Sequence, residues 1–301
     1  MSEEKRTETR PPMRHGGPGG PMMPGEKAKD FKGTLSKLLS YIGRYKIGIL
    51  FVILFANVLI PKELVTAYDT KARLSAPSAE HWFGTDNLGR DIFARVVYGA
   101  RITVGIGVGA TMISLLIGAI LASICSLSKK ADFVIMRIID VGNCIPSILL
   151  ALVFLAILGG SVFNMMLTLT IVSVHGFTTR IRSVLIGVVE QDYVQAAKIS
   201  GTRTFDLVIH HILPNAIDPI IVDATMTVSS MLLSAAGLSF IGVGVSPPSP
   251  EWGAMLNYAQ QYFKTASHMA VFPGLAITLT ALAVNLVGDG LRDALDPKSM
   301  K

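Results

Sequence analysis

Charged residues are scarce in this 301-residue chain: they make up 16% of the sequence, whereas a soluble globular domain normally carries about 25%. Half of the residues are hydrophobic, and the mean hydropathy is +0.52. Apolar runs of roughly 20 residues with few charges are typical of membrane-spanning helices, and the runs here are continuous rather than alternating. The scarcity of charge therefore excludes an ordinary soluble domain and predicts an all-α, polytopic membrane protein.

Cysteine is also rare, because the chain has only Cys125 and Cys144, both in apolar surroundings. Two isolated cysteines provide neither a disulfide framework nor the spacing of a metal site. The sequence lacks a Ser/His/Asp set, a His-Glu-x-x-His helix and a glycine-rich nucleotide loop with its lysine. We therefore expect a non-catalytic chain that binds no metal or cofactor and does not itself hydrolyse ATP.

Six apolar stretches are predicted as membrane spans. They cover residues 47–60, 102–127, 133–158, 162–177, 217–243 and 270–288, and an extension past Arg180 and Arg182 is an alternative end for the fourth. Residues 1–30 are rich in proline, glycine and charge, which predicts disorder, and residues 31–46 have the mixed basic and leucine pattern of an interfacial helix. We therefore divide the chain into a disordered basic tail with an interfacial helix, residues 1–46, and a transmembrane domain, residues 47–301.

The positions of lysine and arginine predict how these spans are oriented. If both termini are cytoplasmic, the inside segments 1–46, 128–137, 178–216 and 289–301 contain 20 of the 27 basic residues. Basic residues accumulate on the cytoplasmic side of membrane proteins. This favours a multi-pass cell-membrane protein with both termini in the cytoplasm. The net charge of +6 follows from that distribution and does not indicate a nucleic-acid partner.

The polar stretch 190–215 connects two apolar spans and is the most informative part of the sequence. Its small residues permit close approach of another helix, its glycine allows a turn that other residues resist, and its proline ends the segment. An apolar face in this polar loop predicts either a partner protein or packing on the chain's own bundle. The residues with these properties are Gln195, Ala196, Ala197, Gly201, Leu207, Val208, Ile212, Leu213 and Pro214.

Four segments, in order, carry a resemblance to a known family over about residues 66–298. They are Gln195-Ala-Ala-x-x-x-Gly201 with Leu213-Pro214, His81 to Asp91 with Tyr98-Gly-Ala-Arg101, Gly237 to Gly253, and Phe272 to Pro297. Together they resemble the second permease subunit of ATP-binding-cassette (ABC) importers of the dipeptide, oligopeptide and nickel branch. Gln195 stands where that family's EAA loop usually has glutamate. By contrast, residues 14–57 look more like the start of an ABC exporter half.

The resemblance implies a type I ABC importer permease fold and a set of partners. It implies a second permease, an extracytoplasmic binding protein and two ATPase subunits that hold ATP and Mg²⁺. Ala196, Ala197 and Gly201 would then bind in a groove of an ATPase subunit. Short peptides are the first expected substrate and nickel complexes the second.

A loop before the second span has two possible interpretations. It contains Gly84, Thr85, Asp86, Gly89, Arg90 and Asp91. It either docks the extracytoplasmic binding protein or gates the outer mouth, or, as we favour, it is an internally hydrogen-bonded loop that sets the angle of the following span. It does not have the strand and lysine of a phosphate-binding loop.

Polar residues inside apolar spans are candidates for a translocation path. The candidates on the fifth span are Asp223, Thr225, Ser229 and Ser230, which either line a passage or form bonds between helices. Arg180 and Arg182 are expected to extend to the inner membrane surface.

The main alternative is a secondary transporter that works without an ATPase. It would use Arg137, Asp140 and Asp223 as ion sites, although the spacing of Arg137 and Asp140 also predicts a structural pair on one helix face. An intramembrane hydrolase is a weaker alternative, because the sequence shows no nucleophile with its base.

Overall fold

A computed structural model describes residues 65–295. The predicted first span (47–60), the tail (1–46) and the exporter-like stretch (14–57) lie outside the described residues. Within 65–295 the chain forms eight helices of eight residues or more and no β-strand, which confirms the all-α prediction. The helices are α1 (Ile92–Leu127), α2 (Lys129–Asn143), α3 (Ser147–Leu158), α4 (Val162–Val189), α5 (Asp192–Ile199), α6 (Leu213–Phe240), α7 (Trp252–Ala259) and α8 (His268–Leu295).

Four of the described helical segments are long and apolar enough to cross a membrane, namely α1, α4, α8 and the continuous helical stretch Thr204–Phe240 that ends with α6. The pair α2 and α3 also qualifies together, but its two halves are bent by 86°. Residues 65–295 therefore contain four spans, or five if the bent pair is one broken span. Of the six predicted spans, the first, 47–60, is the one outside the described residues.

The predicted third span, 133–158, is a broken helix rather than a continuous one. It breaks between Asn143 and Ser147, and Pro146 stands at the N-cap of α3. Proline has no backbone N–H to donate, and its ring disfavours helical geometry in the residue before it. These two effects explain why α2 ends at this place and α3 begins in a new direction.

One predicted boundary is wrong. Helix α1 begins at Ile92 rather than near 102, since the Asp91 side chain accepts a hydrogen bond from the Ala94 amide and caps the helix. Of the two ends predicted for the fourth span, the structure shows the longer one: α4 continues past Phe177 to Val189, because Arg180 and Arg182 are paired with aspartates of neighbouring helices.

The core lies between α1, α4 and α6. Phe177 of α4 is fully buried and lies directly against Gly118 of α1, while Leu232 of α6 lies against Gly107 of α1. Leucine and isoleucine side chains such as Leu116 and Leu279 remain exposed on the outer surface. Apolar residues both inside and outside are expected of a bundle whose solvent is lipid.

The bundle has two chemically different ends. Helices α1 and α4 run parallel, as the contacts Gly109–Met166 and Gly118–Phe177 show, and α6 runs antiparallel to α4, as the contacts Ser173–Met231 and Arg180–Asp223 show. One end therefore carries the loop of residues 84–91, hereafter the 84–91 loop, together with α7. The other end carries the connecting segment, residues 190–212, between α4 and α6.

Candidate functional site

The connecting segment is a compact helical turn rather than an extended loop. Helix α5 ends at Ile199, Gly201 turns the chain with a φ of 81°, and Thr204–Asp206 leads into one π-helical turn, Leu207–Ile212, that continues as α6. The Gln195 side-chain amide donates to the carbonyl of Val189, at 2.6 Å, and so ties α5 to the end of α4. The segment is thus joined to two membrane helices at once.

The apolar face predicted at Leu207, Val208 and Ile212 is not exposed. Leu207 is only 3% exposed and Ile212 is fully buried, in a cluster with Val194 and Leu185. These side chains pack inward because the π-helical turn aims them at the base of the bundle. Of the two alternatives predicted for this apolar face, the structure shows packing on the chain's own bundle for Leu207 and Ile212, which fasten the segment to α4 and α6. A contact of Leu207 with an ATPase subunit stays a prediction.

Three large apolar side chains of the connecting segment do face outward. Ile199 is 86% exposed, Phe205 is 74% exposed and Ile209 is 41% exposed. We call the two most exposed of them the Ile199–Phe205 patch. Ala196 and Gly201 are exposed beside them, and a Cβ added at Gly201 would meet no atom within 4 Å. Ala197, Leu213 and Pro214 are half-buried. The sequence signal that we overlooked is a phenylalanine in a polar stretch.

The 84–91 loop, in contrast, is held by buried charges. The Asp86 carboxylate accepts from the Leu88 amide, the Arg90 amide and the Arg90 guanidinium, the last at 2.6 Å, and lies 3.7 Å from Arg95. Arg95 also donates to the carbonyl of Val65. Asp86, Arg90 and Arg95 are all buried. The predicted internally hydrogen-bonded loop is what the structure shows, and a docking role for it stays a prediction.

The remaining predicted residues of this loop support its turns. Thr85 donates to the carbonyl of Ala72, and Asp91 pairs with His81 at 2.8 Å in addition to capping α1. Gly84 and Gly89 both have positive φ, and a Cβ at Gly89 would collide with the backbone of Asp69. The loop is closely packed at the position where it turns.

Glu251 is a buried acid that sequence reasoning missed. Its carboxylate accepts from the amides of Gly253 and Ala254 and so caps α7, and Thr103 of α1 donates to it at 3.3 Å. Burial raises the pKa of Glu251, although the two amide hydrogen bonds oppose that shift. The neighbouring Trp252 donates its indole N–H to the carbonyl of Val96, at 2.8 Å, so α7 is fixed onto α1.

Helices α3, α4 and α6 surround a cavity of ≈ 790 Å³, which lies within the range of small-molecule sites, roughly 300–1,000 Å³. Apolar residues such as Val172 and Met231 form part of its wall. The polar residues on the wall are Ser147, Ser173, His175, Arg180, Asp223, Thr227, Ser230 and Ser234. The cavity is therefore amphipathic and large enough for a small solute.

The four candidates on the fifth span fall on two faces of α6. Asp223 and Ser230 line the cavity. Ser229 is buried and donates to the carbonyl of Ala281 in α8, and Thr225 lies near the position of Gly288 in the same helix. The structure thus brings Asp223 and Ser230 into one cavity and places Ser229 and Thr225 against α8.

Arg180 and Arg182 do not simply extend to a membrane surface, in contrast to the expectation from the sequence. Arg180 pairs with Asp223 of α6 at 2.8 Å, and Arg182 pairs with Asp132 of α2. Charged side chains inside membrane spans usually pair with one another, and pairing here takes the place of extension to the water at the membrane surface. The sequence does contain a signal for this pairing, because it places arginines and aspartates on neighbouring predicted spans.

Arg137 and Asp140 pair with each other within α2 at 3.6 Å, which confirms the predicted pair on one helix face. Both side chains are exposed, and neither lines the cavity that contains Asp223. The three residues needed for the secondary-transporter alternative are therefore not brought together. Among residues 65–295, no group of three or more metal-ligating side chains is present.

The fold defines the class of protein. The structure superposes on the MetNI methionine ABC transporter in its inward-facing conformation with a TM-score of 0.57 and 16% sequence identity, covering 67% of this chain and 96% of that one. It also matches an amino acid ABC transporter with a TM-score of 0.51 and 19% identity, covering 68% and 94% of the two chains. This is the type I ABC importer permease fold.

Sequence comparison then gives the family. The chain belongs to the family of binding-protein-dependent transport system inner membrane components, whose model matches residues 114–301. It is 42% identical over 258 residues to the dipeptide transport system permease protein DppC of Alkalihalophilus pseudofirmus, covering 84% of this chain and 85% of the relative. It is also 42% identical over 255 residues to the glutathione transport system permease protein GsiD of Escherichia coli O6:K15:H31, covering 84% of each.

These comparisons confirm the resemblance to ABC importer permeases. The chain is a multi-pass, non-catalytic membrane subunit of an ABC importer of the peptide and glutathione type, and hydrolysis of ATP belongs to a separate subunit.

Proposed function

We propose that this chain is a permease subunit of an importer that uses ATP to move di- and oligopeptides across the cell membrane. The exposed Ile199–Phe205 patch supports this proposal most directly, because an apolar surface on a polar connecting segment needs a partner to cover it. The names of the relatives, which concern a dipeptide and glutathione, favour peptides over nickel complexes as the substrate.

The partners follow from this assignment. A second permease would complete the walls of the cavity, and two ATPase subunits holding ATP and Mg²⁺ would bind the connecting segments. An extracytoplasmic binding protein would deliver the peptide at the opposite end, where the 84–91 loop lies. The distribution of 20 of the 27 basic residues supports cytoplasmic termini and a cytoplasmic connecting segment.

The connecting segment is built to transmit a displacement. Gln195 bonds α5 to the end of α4, while Leu207 and Ile212 are buried beneath the start of α6. Both α4 and α6 line the cavity. When ATP draws two ATPase subunits together, a force on Ala196, Gly201 and the patch would therefore move two cavity walls. This coupling would expose the cavity alternately to the two sides of the membrane.

The test is ATP-dependent uptake of a labelled dipeptide by proteoliposomes that contain the complete transporter with its binding protein. Gly201→Asp should abolish uptake while the chain still reaches the membrane, because aspartate tolerates positive φ better than most residues but places a charge in the contact surface. The matched control is Gly242→Asp at the other end of the bundle, where the φ is 91° and the added Cβ meets no atom closer than 3.5 Å. Normal uptake in Gly201→Asp, or uptake that needs no ATP, contradicts the proposal.

A further inference from the structure

We propose that Arg180 and Asp223 bind the carboxylate and the ammonium group of a zwitterionic short peptide inside the cavity. The inference rests on the proposed function, because it assumes that peptides pass through this cavity. It adds that the permease itself, and not only the binding protein, selects zwitterionic peptides.

The geometry of the pair suits a site that opens and closes. The Arg180 guanidinium lies 2.8 Å from one Asp223 oxygen and 2.9 Å from the other, so the contact is direct. The guanidinium also lies over the Phe177 ring, 4.9 Å from its centroid, which restricts its position. Yet the two side chains are 48% and 30% exposed. The pair is formed, but it is reachable from the cavity.

This pair differs from the other ion pairs of the described membrane helices. Arg182 and Asp132 also join two helices, but neither residue lines the cavity. Among the described residues of the cavity wall, Arg180 is the strongly basic side chain and Asp223 is the acidic one. A solute in the cavity therefore meets one fixed positive and one fixed negative charge.

The chemistry of the pair selects a solute with both charges. A charged side chain left unpaired within a membrane is strongly disfavoured. A solute with one charge would separate the pair and leave either Arg180 or Asp223 without a partner. A zwitterion replaces both partners at once, because its carboxylate accepts from the guanidinium and its ammonium group donates to the aspartate.

A free short peptide has these two groups at neutral pH, since the pKa of an α-carboxyl group is about 3.3–3.7 and that of an α-amino group about 7.7–8.0. The hydroxyl groups of Thr227 and Ser230 line the same cavity, and its apolar wall can contact peptide side chains without regard to their identity. The site would therefore recognise the ends of a short peptide and tolerate its sequence.

The test measures equilibrium binding to the complete transporter in nanodiscs without the binding protein, so that selection by the latter does not contribute. The ligands are radiolabelled Ala-Ala, N-acetyl-Ala-Ala, which lacks the ammonium group, and Ala-Ala-amide, which lacks the carboxylate. The variants are Arg180→Gln and Asp223→Asn. The control is Arg137→Gln, which removes an exposed arginine that lies outside the cavity wall.

We expect the wild type to bind Ala-Ala at least about tenfold more tightly than either blocked peptide, as hydrogen bonds to charged groups generally imply. Asp223→Asn should weaken Ala-Ala binding by about tenfold but should not weaken the binding of N-acetyl-Ala-Ala, because that ligand then leaves no aspartate charge unpaired. Arg180→Gln should likewise weaken Ala-Ala binding by about tenfold but should not weaken the binding of Ala-Ala-amide. Arg137→Gln should bind all three ligands as the wild type does.

The proposal is overturned if the wild type binds the three peptides equally or binds none of them, and this comparison needs no variant to fold. It is also overturned if each cavity variant weakens all three ligands to the same extent, because that result indicates a purely structural pair. ATP-dependent peptide uptake by proteoliposomes that contain the same purified transporter together with its binding protein would keep the proposed importer function intact in either case, whereas its absence would contradict that function separately.

Discussion

The 84–91 loop and the connecting segment lie at opposite ends of one bundle and are stabilised in opposite ways. The loop buries Asp86, Arg90 and Arg95 and supplies them with partners from the chain itself. The connecting segment instead exposes Ile199 and Phe205. Both regions contain a glycine with positive φ, but the space around Gly89 is filled and the space around Gly201 is open.

This difference separates a region whose charges are paired within the chain from one that, as we propose, a partner covers. Buried charges are stable only when they are paired, so a loop that pairs its own charges has little left to offer a partner. Exposed apolar side chains lower the free energy when another surface covers them. Polar turn residues occur in both stretches of sequence, and only the contacts in the structure show which stretch leaves apolar side chains exposed.

The largest loss of stability should follow from breaking the charge cluster of the 84–91 loop. Asp86→Asn leaves Arg90 and Arg95 buried without their carboxylate, and removal of one partner of a buried pair costs about 3–5 kcal/mol. We expect a large fall in the midpoint of thermal unfolding and in the yield of folded protein. Asp140→Asn is the control, since its pair with Arg137 is exposed. Equal stability of the two variants would show that the loop does not depend on its buried charges.

A somewhat smaller effect should distinguish the two glycines. Gly89→Ala should destabilise the protein by about 3 kcal/mol, because left-handed strain of about 1–2 kcal/mol adds to a collision with the backbone of Asp69. Gly201→Ala should cost only the strain, about 1–2 kcal/mol, because its Cβ would meet no atom. The unfolding midpoints of the two variants test this ordering. A larger loss of stability for Gly201→Ala than for Gly89→Ala would contradict the close packing around Gly89 and the open space around Gly201.

Glu251, which lies at the same end of the bundle as the 84–91 loop, should make the stability of the folded protein depend on pH. Because burial raises its pKa, the folded state binds the proton more tightly than the unfolded state. The contribution of protonated Glu251 to the free energy of unfolding is therefore fully present below the usual glutamate pKa, near 4.3. It is lost as the pH rises through the raised pKa of Glu251 in the folded state.

Glu251→Gln should remove that dependence and change stability by less than about 1 kcal/mol in acid, where glutamine resembles the protonated acid. The difference in unfolding free energy between the wild type and Glu251→Gln should shift in favour of the variant as the pH rises. Glu190→Gln, at an exposed glutamate, is the control for the unfolding measurements across this range. A difference that stays constant with pH, or that shifts in favour of the wild type, would contradict a raised pKa for Glu251.

The fold was largely predictable because long apolar runs determine helices in lipid. The bend at Pro146 was not, because proline is tolerated inside many membrane helices and its presence alone does not locate a break. The extension of α4 past Arg180 and Arg182 was not predictable from local pattern alone. It depends on Asp223 and Asp132, which lie 43 and 50 positions away from their partners in the sequence.

The sequence indicated where the candidate sites lie along the chain, but it did not indicate which of their side chains are exposed. The small residues around Gly201 indicated a helical turn, and the structure contains one. Leu207 and Phe205 are two positions apart in the same polar stretch, yet Leu207 is buried and Phe205 is exposed. The π-helical turn that begins at Leu207 changes the rotation of successive side chains, and the local composition does not indicate it.

The central claim is that the connecting segment binds the ATPase subunits through the Ile199–Phe205 patch. The most direct test compares Phe205→Asp with Phe263→Asp, a similarly exposed phenylalanine beyond α7 at the opposite end. As surface substitutions, both should change stability by no more than about 0.5 kcal/mol. The tagged chain would be purified from its own membranes in mild detergent, and the ATPase subunits recovered per chain quantified by mass spectrometry. We predict that Phe205→Asp loses the ATPase subunits and that Phe263→Asp retains them at the wild-type ratio. Full retention of the ATPase subunits by Phe205→Asp would contradict the claim.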